Sequence, residues 1–339
     1  MAGSELTTKF HAFHREDTTY ASDNLSIGVS VFVPKSAGKG QRLPVLVRWH
    51  GGALINGGRR GLNERATIVL KSLLRRKSTN IVPLFSGIVD LAAFHNAIIV
   101  APDYRLLPES SGLDILSDLH NFYVWLHSHL DSFLIASISQ QTPSADLSDI
   151  LITGESAGGY MAVQSVLLGE TKGIKAVIAH YPMIDLEDAW YSKPGQKVIW
   201  GQSPPSYPDG WLDQQLEVAK SAKPITERIP VEGEPDLFVA SLLEGRYTEI
   251  LGSDPKLFPL ENLGALKENG EALPPTWMFH GEEDTIIPVD GTLKFVQEAR
   301  GGVKETLIPG AEHGFDNDSV GLETDWVVEG REWLKTYWP

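Results

Sequence analysis

The stretch DILITGESAGG, Asp149 to Gly159, runs from a short β-branched apolar segment through small residues around one serine and on into a helix-competent segment. Ile150 to Thr153 reads as a strand and Ala157 to Leu168 as the helix after it. Between them sits Gly154-Glu155-Ser156-Ala157-Gly158, a G-x-S-x-G turn at the strand-to-helix junction where the pattern acquires chemical meaning. Small residues two before and two after the serine allow a strained elbow that exposes its Oγ. The helix N-terminus behind it offers free N–H groups and a positive dipole end where negative charge would develop. Without that junction the pattern would describe only a serine in a tight turn; with it, Ser156 is the candidate nucleophile.

Outward from this junction, strand-like segments recur at Ile27 to Val33, Val45 to Trp49, Ala97 to Ala101, Ala176 to Tyr181, Trp277 to Phe279 and Glu305 to Ile308. AIIVA and DILIT are continuously apolar, which suits strands covered on both faces of a mainly parallel sheet. Helical spacing appears from Leu116 to Leu130, and position suggests further helices over Gly291 to Ala299 and Thr324 to Tyr337. The alternation predicts an α/β fold, with an opening antiparallel hairpin where Ile27 to Val33 alternates. Two connections exceed that scheme: 46 residues between His50 and Ala97 (97 − 50 − 1) and 95 between Tyr181 and Trp277 (277 − 181 − 1). Both must hold inserted structure.

Composition narrows the partners. With 29 Lys and Arg against 44 Asp and Glu, the net charge of −15 repels phosphate backbones and anionic lipid heads. Neither nucleic acid nor a membrane is expected. The chain of 339 residues has no cysteine, which excludes disulfides, thiolate metal sites and a cysteine nucleophile. No signal-peptide pattern is present, so a cytoplasmic location is expected. No phosphate-binding, dinucleotide or zinc motif occurs, and no cofactor is implied.

A serine nucleophile needs a base, and the base an orienting acid. Downstream of Ser156, the strand-end histidines are His280 and His313, the latter in the glycine-flanked loop PGAEHGF after the last strand. His313 is the candidate base; His280 reads as a residue that holds the next turn. Glu282, Glu283 and Asp284 lie in GEEDTIIP after the penultimate strand, and Asp284, short and just before the apolar anchor, is the candidate acid. Oxyanion donors are available from the N–H of Ala157 and from His50-Gly51-Gly52-Ala53, which follows the Val45 to Trp49 strand.

RWHGGA, IIVAPDYRLLPES, GESAGG, HYPMIDL, HGEEDTIIP and GAEHGF occur in this order over most of the chain. Together they resemble the α/β-hydrolase superfamily and, within it, the hormone-sensitive-lipase-like esterases. The resemblance implies an eight-stranded α/β-hydrolase sheet flanked by helices, with residues 1–184 and 262–339 as the core, an insertion at about 57–95, and a cap over 185–261. It implies ester hydrolysis by Ser156, Asp284 and His313, with oxyanion donors at Gly52, Ala53 and Ala157 and Gly51 beside them. A small-molecule ester is the expected partner, and a homodimer is possible on this reading. Amide, lactone or cyclisation chemistry on the same triad, and a non-catalytic receptor, are the rival readings. Ala53 replaces the family's usual third glycine, EEDTIIP replaces its usual D-P-L, and the N-terminal capping helices are missing because the core begins near residue 25. Glu155, Trp190, Trp200 and Trp211 are candidate pocket residues, the tryptophans as a rigid aromatic lid. Arg59, Arg60 and Asn63 are candidates to meet an acidic substrate group or to begin an exposed helix. Asp103 and Arg105 read as a buried ion pair or loop clamp.

Overall fold

The apolar runs form strands because both of their faces are covered. In a computed structural model, which describes residues 10–59, 86–137, 143–204, 206–231, 234–317 and 320–338, Ile150 and Ile152 enter one core and Leu151 the other. Val45 and Val47 divide from Leu46 in the same way. The two-residue period of the strand thus distributes one apolar run between two layers.

Eight strands make one sheet in the order β1-β2-β4-β3-β5-β6-β7-β8. β1 (Phe13–Ser22) and β2 (Leu25–Pro34) form the antiparallel hairpin, and β2 runs antiparallel to β4 (Ile98–Pro102). From β4 through β3 (Arg42–Trp49), β5 (Ser144–Glu155), β6 (Ile174–His180), β7 (Thr276–Gly281) and β8 (Val303–Ile308), every pairing is parallel. The sheet begins at Phe13, earlier than the expected residue 25. Arg15, Glu16 and Asp17 hide this strand from an apolar reading, and charge of that kind suits an edge strand.

The described helices, in chain order, are α1 (Ser86–Phe94), α2 (Gly112–Ser137), α3 (Ala157–Leu167), α4 (Ala189–Ser192), α5 (Trp211–Ala219), α6 (Leu237–Leu243), α7 (Tyr247–Leu251), α8 (Pro259–Glu268), α9 (Val289–Ala299) and α10 (Asp325–Leu334). α2 extends beyond the predicted Leu116 to Leu130 and buries Ile115, Leu119, Phe122, Leu126, Leu130 and Leu134 along one stripe. With α3, α8 and α9 it covers one face of the sheet, while α1 and α10 cover the other. Leu263 and Leu266 of α8 share a cluster with Val163 and Leu167 of α3. The core therefore resumes at Pro259, and the expected boundary at 262 would cut through a helix. Most of the insertion expected at 57–95 lies outside the described residues. Among the described residues no helix is long and apolar enough to cross a membrane.

Candidate active site

Ser156 stands at the C-terminal end of β5 with φ 57° and ψ −118°. This backbone conformation costs a non-glycine residue of order 1–3 kcal/mol. Close packing enforces it: a Cβ on Gly154 would lie 2.2 Å from the Gly158 carbonyl oxygen, and one on Gly158 would lie 2.2 Å from that of Trp49. The Ser156 N–H donates to the His180 carbonyl at 2.9 Å, and the Ser156 carbonyl accepts from Tyr160 N–H at 3.1 Å. The elbow is thereby pinned to both the β6 end and the first turn of α3.

The loops after β7 and β8 bring Asp284 to His313. Asp284 Oδ2 lies 2.7 Å from His313 Nδ1 and 3.1 Å from His280 Nε2, while Oδ1 accepts the N–H groups of Ile286 at 2.9 Å and Ile287 at 2.8 Å. Burial alone would raise the Asp284 pKa. Its electrostatic interaction and hydrogen bonds with His313 and His280 outweigh burial and hold the carboxyl well below the usual carboxylate range. His280 is fully buried between Asp284, the Ile287 carbonyl at 3.0 Å and the Thr292 hydroxyl at 2.9 Å, so it holds the turn, and it does so through Asp284.

Two carboxylates that the sequence reading passed over brace the loop after β8, one to the loop after β7 and the other to the end of β6. Glu312 accepts from Thr285 N–H at 2.7 Å, from the Thr285 hydroxyl at 2.5 Å and from His313 N–H at 2.8 Å. Asp316 binds His180 Nδ1 at 2.9 Å and the Tyr181 hydroxyl at 2.6 Å. The Tyr181 ring meets the His313 ring at 65° with centroids 4.6 Å apart. Their acidic character, with Glu312 inside the GAEHGF segment and Asp316 directly after it, was the available signal.

The His50 to Gly57 loop follows β3 and lies beside the elbow, with the Cβ position of Gly51 3.5 Å from Ser156 Cβ. Gly51 O lies 2.8 Å from His50 Nδ1, and Gly52 O accepts from Ile55 N–H at 3.0 Å and Asn56 N–H at 2.7 Å. In a trans peptide the carbonyl and the next N–H point in opposite directions. These bonds therefore aim the Gly52 and Ala53 N–H groups away from the loop interior, and neither donates a hydrogen bond among the described residues. Ala157, as the first residue of α3, has an N–H with no acceptor inside the helix. Gly51 differs: its N–H donates to Glu155 Oε1 at 3.2 Å. It braces the loop instead of offering a donor.

Several pocket assignments change. Glu155 is buried beneath the loop, with its carboxylate on Arg48 and Gly51 N–H, so it does not face a pocket. Arg59 pairs with Asp103, which removes it as a free anchor for an acidic substrate; Arg60 and Asn63 lie outside the described residues. Asp103 and Arg105 do not pair with each other. Arg105 instead joins Asp118 at 2.7 Å and Asp23 at 2.8 Å, clamping the loop after β4 to α2 and to the β1–β2 turn. Trp190 donates from Nε1 to the Ile286 carbonyl at 2.9 Å, in the loop that carries Asp284. Trp200 precedes Gly201, whose N–H donates to the Thr285 hydroxyl at 3.0 Å. Trp211 packs on Tyr207 with centroids 5.6 Å apart. Among the described residues no group of three or more histidines and carboxylates is arranged to hold a metal ion.

Comparison with known proteins adds an independent line. A family profile described as alpha/beta hydrolase fold matches residues 86–205. The probable carboxylesterase M8 of Phoma sp. is 32% identical over 345 residues, covering 98% of both chains. The non-reducing polyketide synthase ausA of Penicillium brasilianum is 22% identical across 98% of this chain, which spans 14% of the synthase. Among solved structures, Thermogutta terrifontis esterase 2 phosphonylated by sarin superposes with a TM-score of 0.52 at 17% identity, over 95% of this chain and 91% of that one.

Proposed function

Since the chain belongs to the α/β-hydrolase superfamily, in its hormone-sensitive-lipase-like group, we propose that it hydrolyses carboxylic esters through an acyl-enzyme formed on Ser156. The observation that carries this reading is the buried Asp284 bound to His313 Nδ1 at 2.7 Å, in the loops that follow β7 and β8 of the same sheet whose β5 ends in the strained Ser156 elbow. With Nδ1 occupied, Nε2 is the nitrogen that takes the Ser156 proton as Oγ attacks the ester carbonyl. The carbonyl oxygen becomes an oxyanion and is met by the N–H groups of Gly52, Ala53 and Ala157. Collapse breaks the bond to the alcohol oxygen, which leaves with the proton from His313. Water, deprotonated by His313, then attacks the acyl-enzyme and releases the acid. Asp284 holds the ring and balances the imidazolium throughout.

The test is hydrolysis of p-nitrophenyl esters from acetate to laurate by the wild type and Ser156→Ala side by side. Serine-dependent turnover is expected, with Ser156→Ala reduced to background while keeping its fold. A folded wild type that turns over no ester would sink the proposal. The match across polyketide synthases favours a second reading, in which the acyl group is a polyketide ester or lactone. On that reading an aromatic lactone would be opened faster than p-nitrophenyl acetate, and equal neglect of both would remove it.

A further inference from the structure

The chain from 185 to 251 reaches back to the oxyanion loop at four points. The hydroxyl of fully buried Tyr247, the first residue of α7, donates to the Ala53 carbonyl at 2.9 Å across 194 positions of sequence. Asn56 Nδ2 donates to Asp236 Oδ2 at 2.9 Å, and Asp236 also caps α6 by accepting Val239 N–H at 3.0 Å. Gly57 and Arg228 exchange backbone hydrogen bonds at 2.7 and 3.0 Å. Arg228 Nη1 donates to the Ile55 carbonyl at 2.5 Å and the Leu107 carbonyl at 2.7 Å.

These bonds fall where the loop most needs outside support. Ala53 and Leu54 have φ of 58° and 59°, two successive non-glycine residues in the left-handed region. The peptide planes of the loop hold one another: Gly52 O is anchored inside the loop, but the next carbonyl, Ala53 O, is anchored by Tyr247. A turn of the Ala53–Leu54 plane would rotate ψ at Ala53 and displace the residue whose N–H is assigned to the oxyanion.

We infer that the cap is part of the catalytic scaffold as well as a cover, with Tyr247 as a positioning residue that holds the Ala53 N–H on the oxyanion, seconded by Asn56 and Asp236. This rests on the ester-hydrolase reading of Ser156. Removing the Tyr247 hydroxyl leaves a buried carbonyl without its donor, and the strained loop then relaxes toward other conformations. The substrate ground state, bound by the rest of the pocket, is little affected; the tetrahedral state is.

The experiment compares wild type, Tyr247→Phe and Asn56→Ala, with Tyr191→Phe as a control that removes a hydroxyl from the ring tilted against Tyr247 without touching the loop. Steady-state kinetics on a p-nitrophenyl ester are paired with affinities for a trifluoromethyl ketone, which mimics the oxyanion, and for the carboxylate product. The expected result is a fall in kcat of about tenfold with KM within about twofold, matched by an equal loss of ketone affinity and unchanged product affinity. Wild-type kcat and ketone affinity in Tyr247→Phe and Asn56→Ala overturn the inference. So does a loss shared by product affinity, or one seen only as the protein unfolds, since either assigns the bonds to cap stability alone. A wild type without Ser156-dependent turnover fails the underlying reading instead, and ketone affinity that is insensitive to Ser156→Ala identifies that case.

Discussion

His50 shows how much a single side chain carries at this site. Its imidazole is buried and stacked on Tyr104 with centroids 4.2 Å apart, while Tyr104 donates its hydroxyl to the His50 carbonyl at 2.8 Å. Burial pushes its pKa down from 6.5 to about 3, so the ring is neutral in the folded protein and Nδ1 carries the proton donated to Gly51 O. The unfolded chain binds this proton below pH 6.5 and the folded chain does not until about pH 3, so stability is full above 6.5 and falls as pH drops through that window. His50→Gln, which keeps a donor and cannot titrate, is expected to lose less unfolding free energy between pH 7 and pH 5 than the wild type. The difference should approach about 1.4 kcal/mol per pH unit in urea titrations, and parallel slopes would refute it. At Asp284, replacement by Asn keeps the shape but removes the charge that fixes the His313 tautomer. A fall in kcat of about four orders of magnitude is expected, with the folded signal retained.

At the scale of elements, the strand-to-helix junction tolerates no added atom. A Cβ on Gly158 meets the Trp49 backbone at 2.2 Å, and backbone in the middle of a sheet has nowhere to move. Gly158→Ala is expected to destabilise the protein by more than about 3 kcal/mol in chemical denaturation; a stable, active variant would show that the elbow flexes. The loops after β7 and β8 have a different linkage, through Glu312 on Thr285 and His313. Glu312→Ala is expected to cut kcat about tenfold while leaving the melting curve almost unchanged, because it frees two loop ends without opening the core. Of these two elements, the elbow was legible in the sequence and the loop clip was not. Glycine spacing records a local steric demand, whereas a glutamate in a loop looks the same whether it is solvated or bonded across 27 positions.

The whole molecule adds a field and a long-range assembly. A net charge of −15 disfavours anionic ligands over distances of the order of the Debye length. KM for a hemisuccinate ester is therefore expected to fall a few-fold from 10 to 200 mM salt while KM for the neutral ethyl ester stays level. Equal salt responses would show that the field does not reach the site. The sequence alone determined the α/β sheet and the Ser156 elbow, and it put the candidates Asp284 and His313 in the loops after the last two strands. Each is written by a short-range rule: apolar runs covered on two faces, glycines where a Cβ cannot fit, and loops that leave parallel strands at the same edge. Only the tertiary structure decided that Glu155 turns under the loop, that Asp103 and Arg105 choose separate partners, and that Tyr247 lies on Ala53 across 194 positions. Those contacts depend on which buried donor meets which acceptor once the layers have packed, and no local periodicity encodes that choice.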